Sequence, residues 1–273
     1  MQRTLILPVA AALLILPAMG CGKVQARADL KKGNSYYQQE QYLKAMSAYQ
    51  KGLELDPDAT FAWRSLGLAA LAMYRPGDES PKNLEYATTA IDAFEKYLAD
   101  FPDDDKIPEY LMSTYVNAKK YDDALAFIDR RIQEKPAQAA NLRRAKVTIL
   151  TQAGRLDQAF QLANGLQGEE KAQALYSIGV SAWDKVFHQG ETLDYEGRAK
   201  LVDMGLDAIK RALDIKPDYF EAMVYYGLLY RQKAALETDP AKRLEDEQIA
   251  SDWQQKAIAL RKKAQPAQAP ANT

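Results

Sequence analysis

The sequence is poor in the residues that most reactions use. One Cys and one His in 273 residues exclude an intramolecular disulfide among them, any Cys-based zinc site and any two-His metal motif. No GxxxxGK[ST] or GxGxxG phosphate loop and no GxSxG nucleophile turn occurs, so the familiar nucleotide and acyl-transfer signatures are missing. Gly at 14 and Pro at 12 are few for a turn-rich all-β chain. Charge of one sign is absent too: 36 Lys+Arg stand against 37 Asp+Glu, which removes the electrostatic ground for binding nucleic acid. The longest apolar run, Leu5 to Leu16, is shorter than the ~18 residues a membrane-spanning helix needs. What is present is an apolar fraction of 47 %, enough to bury a core in one or two domains.

The run at the start reads as an address. A basic beginning (Arg3), the apolar stretch, then Ala18, Gly20 and Cys21 follow the plan of an export signal, whose apolar region needs only about 7–15 residues. Ala18-Met19-Gly20-Cys21 resembles the lipobox of bacterial lipoproteins, although Ala18 stands where that family prefers Leu. The resemblance implies removal of residues 1–20 by cleavage after Gly20, a covalent lipid on Cys21, and a short linker over 21–25. Gly22 in place of an Asp after the lipidated Cys implies an outer-membrane address. Two or more acyl chains at about 0.8 kcal/mol per methylene would make release negligible.

Beyond the linker the chain repeats itself. In GNSYYQQEQYLKAMSAYQKGLELDP, Gly33, Tyr36, Ala45, Tyr49, Gly52 and Pro57 recur at the spacings of a unit of about 34 residues. Small residues permit two helices to cross closely, Tyr36 fills the space between them, Tyr49 lies at a repeat-packing position, and Pro57 stops the second helix. Trp63, Leu66, Gly67, Ala90, Phe94 and Pro102 repeat the frame, as do Leu111, Tyr115, Ala124, Ile128 and Pro136. Leu150, Gly154 and Ala159, then Leu175, Ile178, Gly179, Ala212 and Pro217, then Met223, Tyr226, Gly227 and Tyr230 continue it. Two insertions interrupt it, 74–84 and 186–200, and are expected as lengthened loops.

This pattern resembles the tetratricopeptide repeat (TPR) family over roughly 26–263. The resemblance implies an all-α fold, an α-solenoid of about six helix pairs wound into a right-handed superhelix. The units are expected at 26–59, 60–104, 105–138, 140–170, 172–219 and 220–263. The last, charged helix is expected to act as a solvating cap. Residues 264–273, rich in Pro, Ala and Gln, are expected to be a disordered tail.

In this family the first helix of each pair lines an inner groove. Carried over by position, that face includes Leu30, Asn34, Tyr37, Arg64, Ser113, Asn117, Arg144, Tyr176 and Trp183, and the site residues expected from it are Asn34, Tyr37, Arg64, Ser113, Asn117, Arg144, Tyr176 and Trp183. Aromatic, Arg and amide side chains are the types enriched at protein interfaces. The carboxylate clamp that some members use on chaperone C-termini is not reproduced, because Leu30 and Tyr110 stand where a Lys and an Arg belong.

No catalytic or metal site is expected. His188 has Glu191, Asp194, Tyr195 and Glu196 nearby, but nothing in their spacing demands metal or general-base chemistry. Asp103-Asp104-Asp105 and Glu245-Asp246-Glu247 read as solvated surface. The functional expectation is a non-enzymatic scaffold, held by lipid in the bacterial cell envelope, that binds a protein segment in its groove. It needs no cofactor beyond the covalent lipid and takes no nucleic acid. The alternative is a periplasmic lipoprotein binding a small ligand or cell wall, with the insertions 74–84 and 186–200 closing a pocket.

Overall fold

A computed structural model describes the backbone of residues 18–264 and the side chains of 22–263. The expectations for most of the signal segment and for the tail beyond 264 lie outside the described residues. Ala18 to Cys21 enter as backbone only, in the first turn of α1.

The described residues form twelve α-helices and no strand. They are α1 (Ala18–Gln38), α2 (Tyr42–Leu55), α3 (Phe61–Met73), α4 (Pro81–Asp100), α5 (Ile107–Asn117), α6 (Tyr121–Glu134), α7 (Ala139–Gln152), α8 (Leu156–Ala163), α9 (Gly168–Gln189), α10 (Tyr195–Ile215), α11 (Phe220–Leu236) and α12 (Pro240–Ala264). The chain divides into two compact units between Ala118 and Lys119. The first holds α1 to α5 and the second α6 to α12. The third expected repeat, 105–138, is therefore shared: its first helix is α5 and its second is α6.

Within each unit the helices pack as pairs that stack. In the first unit α1 lies on α2 and α3 on α4, α2 touches α3, α4 touches α5, and α1 reaches α3. In the second, α9 lies on α10 and α11 on α12, α10 touches α11, and the first helices α7, α9 and α11 touch in succession. A single pair leaves one apolar face uncovered, and the next pair covers it.

The close crossings fall where the sequence places its small residues. A Cβ on Gly33 of α1 would stand 2.6 Å from the Tyr49 ring of α2, and one on Gly67 of α3 would stand 2.4 Å from Phe94 Cε1 of α4. The second unit repeats the device with an aliphatic partner, Gly179 of α9 lying under Ile209 of α10. The α1–α2 and α7–α8 turns are tight, each with a left-handed residue two positions before the second helix, Glu40 (φ 58°) and Gly154 (φ 70°).

Neither insertion is loop throughout. In the first, residues 81–84 are helical, because Pro81 sits at the first turn of α4, where its fixed φ suits the helix and no N–H is missed. The preceding turn is clipped by buried Asn83. Its Oδ1 accepts from the Arg75 backbone N–H at 2.8 Å, and its Nδ2 donates to the carbonyls of Arg75 and Asp78. In the second, 186–189 extends α9 and 195–200 begins α10. Asp194 caps α10 by accepting from Gly197 N–H at 2.7 Å. The first insertion keeps a lengthened loop over 74–80, whereas in the second the expected loop gives way mostly to lengthened helices, α9 running on to Gln189 and α10 beginning at Tyr195.

One residue in each acidic stretch departs from the solvated reading, while Asp103, Asp105, Glu245 and Glu247 are exposed. Asp246 of α12 is buried, and its Oδ1 accepts from Lys233 Nζ of α11 at 3.2 Å. Burial alone would lower the Lys233 pKa, but the hydrogen bond and charge of Asp246 raise it. Asp104 holds the start of α5, accepting from the backbone N–H groups of Lys106 (2.8 Å) and Ile107 (2.9 Å) and from the Tyr97 hydroxyl at 3.0 Å. Burial pushes the Asp104 carboxyl up, yet these donors and the Arg64 guanidinium outweigh it and hold the pKa below the ordinary carboxylate value. Asp104→Ala is expected to cost the first unit about 1–2 kcal/mol at neutral pH. A depressed pKa contributes stability above the unfolded value that is lost as pH falls through the folded one. The gap in urea midpoint between wild type and variant should thus be constant above about pH 5 and shrink below about pH 4.

Candidate interaction surfaces

The first helices of the pairs present the face that their second helices do not cover. In the first unit this face holds a hollow of 230 Å³ lined by Asn34, Tyr37 and Gln38 of α1, Tyr49 of α2, and Arg64, Ser65 and Leu68 of α3. Three expected groove residues, Asn34, Tyr37 and Arg64, are thereby brought to one place. Asn34 Oδ1 accepts from the Tyr49 hydroxyl at 2.8 Å. Tyr37 meets the Tyr42 ring edge-on at 5.4 Å, and burial, with Tyr42 and Tyr110 next to it, raises its pKa. It is a neutral hydroxyl donor at physiological pH. Arg64 Nε stands 3.9 Å from Asp104 Oδ2, so its charge is partly balanced while the side chain stays exposed. Ser113 and Asn117 lie on exposed turns of α5 and are joined by a hydrogen bond from Asn117 Nδ2 to Ser113 Oγ at 3.2 Å. Leu30, read as groove-lining, is buried and packs into the space above Gly52. Its stem faces α2 rather than solvent.

The second unit offers a different surface. Arg144 of α7 forms an ion pair with Glu170 of α9 at 2.9 Å and also donates to Asn141. Its guanidinium is committed to its own unit. Tyr176 and Trp183, two turns apart on α9, join an aromatic row with α11. The Tyr176 ring lies 4.8 Å from Tyr219 and 5.9 Å from Tyr225. Trp183 stacks on Phe187 at 4.8 Å and 15°, and takes the Tyr225 ring edge-on at 5.4 Å. Burial, reinforced by Tyr225 and Tyr219, pushes the Tyr176 hydroxyl up to about 12. Phe187 is 57 % exposed, and the buried Trp183 Nε1 has no acceptor.

Phe187, Tyr219 and Tyr225 are not among the expected residues. Phe187 lies one turn beyond the inward positions of an ordinary repeat, on the part of α9 that the insertion adds. The i, i+4 spacing of Trp183 and Phe187 is the signal that could have found it. Tyr226, next to Tyr225 in the chain, is core: it is buried against Trp253 and Tyr230.

His188 does not organise a site. Its Nδ1 lies 3.0 Å from Asp184 Oδ1 on its own helix, with both side chains exposed. Asp194 is occupied as a cap. Among the described residues no group of three or more His, Cys, Asp or Glu is placed to hold a metal ion, and no helix is long and apolar enough to cross a membrane.

Comparison with known proteins places the repeat. Residues 33–73 match the family model for the TPR repeat. No curated protein matches the chain. Solved structures that resemble it are distant. YrrB, described as a TPR protein with an unusual peptide-binding site, is 21 % identical, with 76 % of this chain and 96 % of that one covered and a TM-score of 0.41. A TPR repeats protein from Bacteroides fragilis NCTC 9343 is 16 % identical, with 77 % and 98 % covered and a TM-score of 0.43. MamA from Desulfovibrio magneticus RS-1 is 14 % identical, with 89 % and 98 % covered and a TM-score of 0.31. The described chain is an all-α protein of stacked helix pairs, and within 33–73 it carries the tetratricopeptide repeat.

Proposed function

We propose that this protein is a non-enzymatic protein-interaction scaffold, lipid-anchored through Cys21 in a bacterial cell envelope, on the periplasmic face of the outer membrane. The observation that carries the interaction reading is the row Tyr176, Trp183 and Phe187 with Tyr219 and Tyr225. Rigid aromatic side chains gathered from α9 and the start of α11 give contact area at small entropic cost. The lipid address rests on the residues around Cys21 alone. Anchoring confines the search for a partner to a surface and raises the effective concentration there. The small-ligand alternative is not favoured, because most of the second insertion, 186–200, which was to cover a pocket, is taken up by the ends of α9 and α10.

The test is affinity purification of the tagged full chain from detergent-solubilised envelopes of its host, with mass spectrometry of the bound proteins and of the N-terminal peptide. A stoichiometric partner should appear, and Phe187→Ala should lower its recovery about tenfold. Phe187 is exposed enough that its truncation leaves the fold intact. Recovery unchanged by Phe187→Ala would remove the aromatic row from the proposal. The N-terminal peptide should begin at a lipidated Cys21, and Cys21→Ala should release the protein to the aqueous phase. An unmodified Cys21 in the wild type would remove the envelope anchor.

A further inference from the structure

The last helix pair carries a groove that the aromatic row does not use, enclosing 400 Å³. On α11 it is lined by Phe220, Val224, Gly227, Leu228 and Arg231. On α12 the lining starts at Ala250 and runs through Gln254, Ala257, Ile258 and Arg261 to Lys262. The two helices contribute at the same spacing, a first residue followed by others four, seven, eight and eleven positions on. That periodicity is one face of an α-helix. Two such stripes side by side form the seat into which the ridge of a third helix packs. At about 1.5 Å per residue the seat is about 16 Å long, three helical turns. Its floor is apolar, and Ile258 is 47 % exposed there. Its polar edge is of one sign: Arg231, Arg261 and Lys262, with no carboxylate among the described lining residues. Arg231 is held across the groove by donating to Gln254 Oε1 at 2.6 Å.

Two occupants from this chain fit poorly. The segment 265–273, QPAQAPANT, has no large apolar side chain, and its prolines at 266 and 270 prevent a three-turn helix. A second copy seated groove to groove would set these cations against themselves. The exposed face of α1 carries Arg27 and Lys31, cations again, while its Lys23 is paired with Asp58.

We propose that the α11–α12 groove docks a three-turn amphipathic helix of a partner protein, whose apolar ridge is flanked by Asp or Glu. The apolar floor supplies the burial, and Arg231, Arg261 and Lys262 choose the partner by charge. This surface is separate from the aromatic row, so Phe187→Ala leaves it untouched.

Two synthetic helical peptides with the same leucine ridge, one flanked by Glu and one by Lys, are titrated into the full chain by fluorescence anisotropy. The Glu-flanked peptide should bind at least about tenfold tighter, with an advantage that shrinks as salt rises. Arg261→Glu combined with Lys262→Glu should reverse the preference. Ile258→Asp should abolish both affinities with the circular dichroism and melting temperature unchanged. Equal binding of the two peptides, or none, overturns the proposal. It also falls if removal of 265–273 strengthens peptide binding about tenfold, because the tail then occupies the seat. A dimer in sedimentation that Ile258→Asp dissolves would overturn it in favour of a second copy.

Discussion

Gly179→Val is expected to loosen the second unit by about 3 kcal/mol, although glycine is a poor residue in the interior of a helix. On propensity alone, replacing a helical Gly with Ala would gain about 1 kcal/mol. Packing decides the opposite sign here. A Cβ at 179 would stand 2.4 Å from Ile209 Cγ1, 2.5 Å from Cδ1 and 3.2 Å from the Gly205 carbonyl. Ile209 is fully buried and has nowhere to swing, and the carbonyl is backbone. The helices α9 and α10 would have to part. Gly205, one turn before Ile209 on α10, is wedged as tightly: a Cβ there would stand 3.2 Å from Ala182 of α9 and 2.8 Å from buried Leu229 of α11, so a shift of α10 is passed to the last pair. The expected melting temperature falls by about 6–12 °C, with Gly179→Ala lying between. Hydrogen exchange should quicken in α9 to α11 and stay slow in α1 to α4. A melting temperature unmoved or raised by Gly179→Ala would show that the crossing has slack the structure does not contain.

Gly179 is legible in the amino-acid sequence, because repeat spacing ties it to a crossing. So is the helix-pair plan, but not which ring meets each small residue: the sequence offers Tyr36 as the filler of the first pair, and it is Tyr49 that lies against Gly33. The insertions read as loops throughout because proline and polar residues look like breaks, whereas only 74–80 of the first and 190–194 of the second lie outside α-helix. Pro81 breaks a helix from within but begins one at its first turn, and no residue between Lys185 and Gln189 stops α9. The charge runs mislead for a related reason. Composition cannot tell which of three consecutive aspartates will meet the bare N–H groups of the next helix; Asp104 does. In the groove, family position names Asn34, Tyr37 and Arg64, which line one hollow. It assigns Leu30 to the groove although its side chain is buried over Gly52. It passes over Phe187 and Tyr225, which lie outside the repeat's inward positions yet complete the ring stack. The charged last helix reads only as a solvating end of the chain, but its α11-facing side is apolar enough to leave a groove.

The largest single loss is expected from Phe94→Ala, and its value lies in what it does to a second substitution. Phe94 is fully buried between the paired helices α3 and α4, and its ring lies within 2.4–3.1 Å of where a Cβ on Gly67 would be. Its other neighbour is Tyr110 of α5, stacked at 6.4 Å between centroids. Removing the ring leaves a cavity between three helices, at about 3–5 kcal/mol. Gly67→Ala alone should also destabilise the first unit, by about 1–2 kcal/mol, because the ring has no room to retreat. In the Phe94→Ala background the same methyl enters empty space. It then refills part of the cavity at about 0.8 kcal/mol per carbon and gains helix propensity as well. Gly67→Ala should therefore change sign, from destabilising in the wild type to stabilising in the variant, with a coupling of about 2–3 kcal/mol. Urea titration of the four proteins, followed by the fluorescence of Trp63 on α3, measures it. If Gly67→Ala costs the same in both backgrounds, the glycine is retained for some reason other than this ring, and the crossing of α3 and α4 is not what the repeat spacing selects.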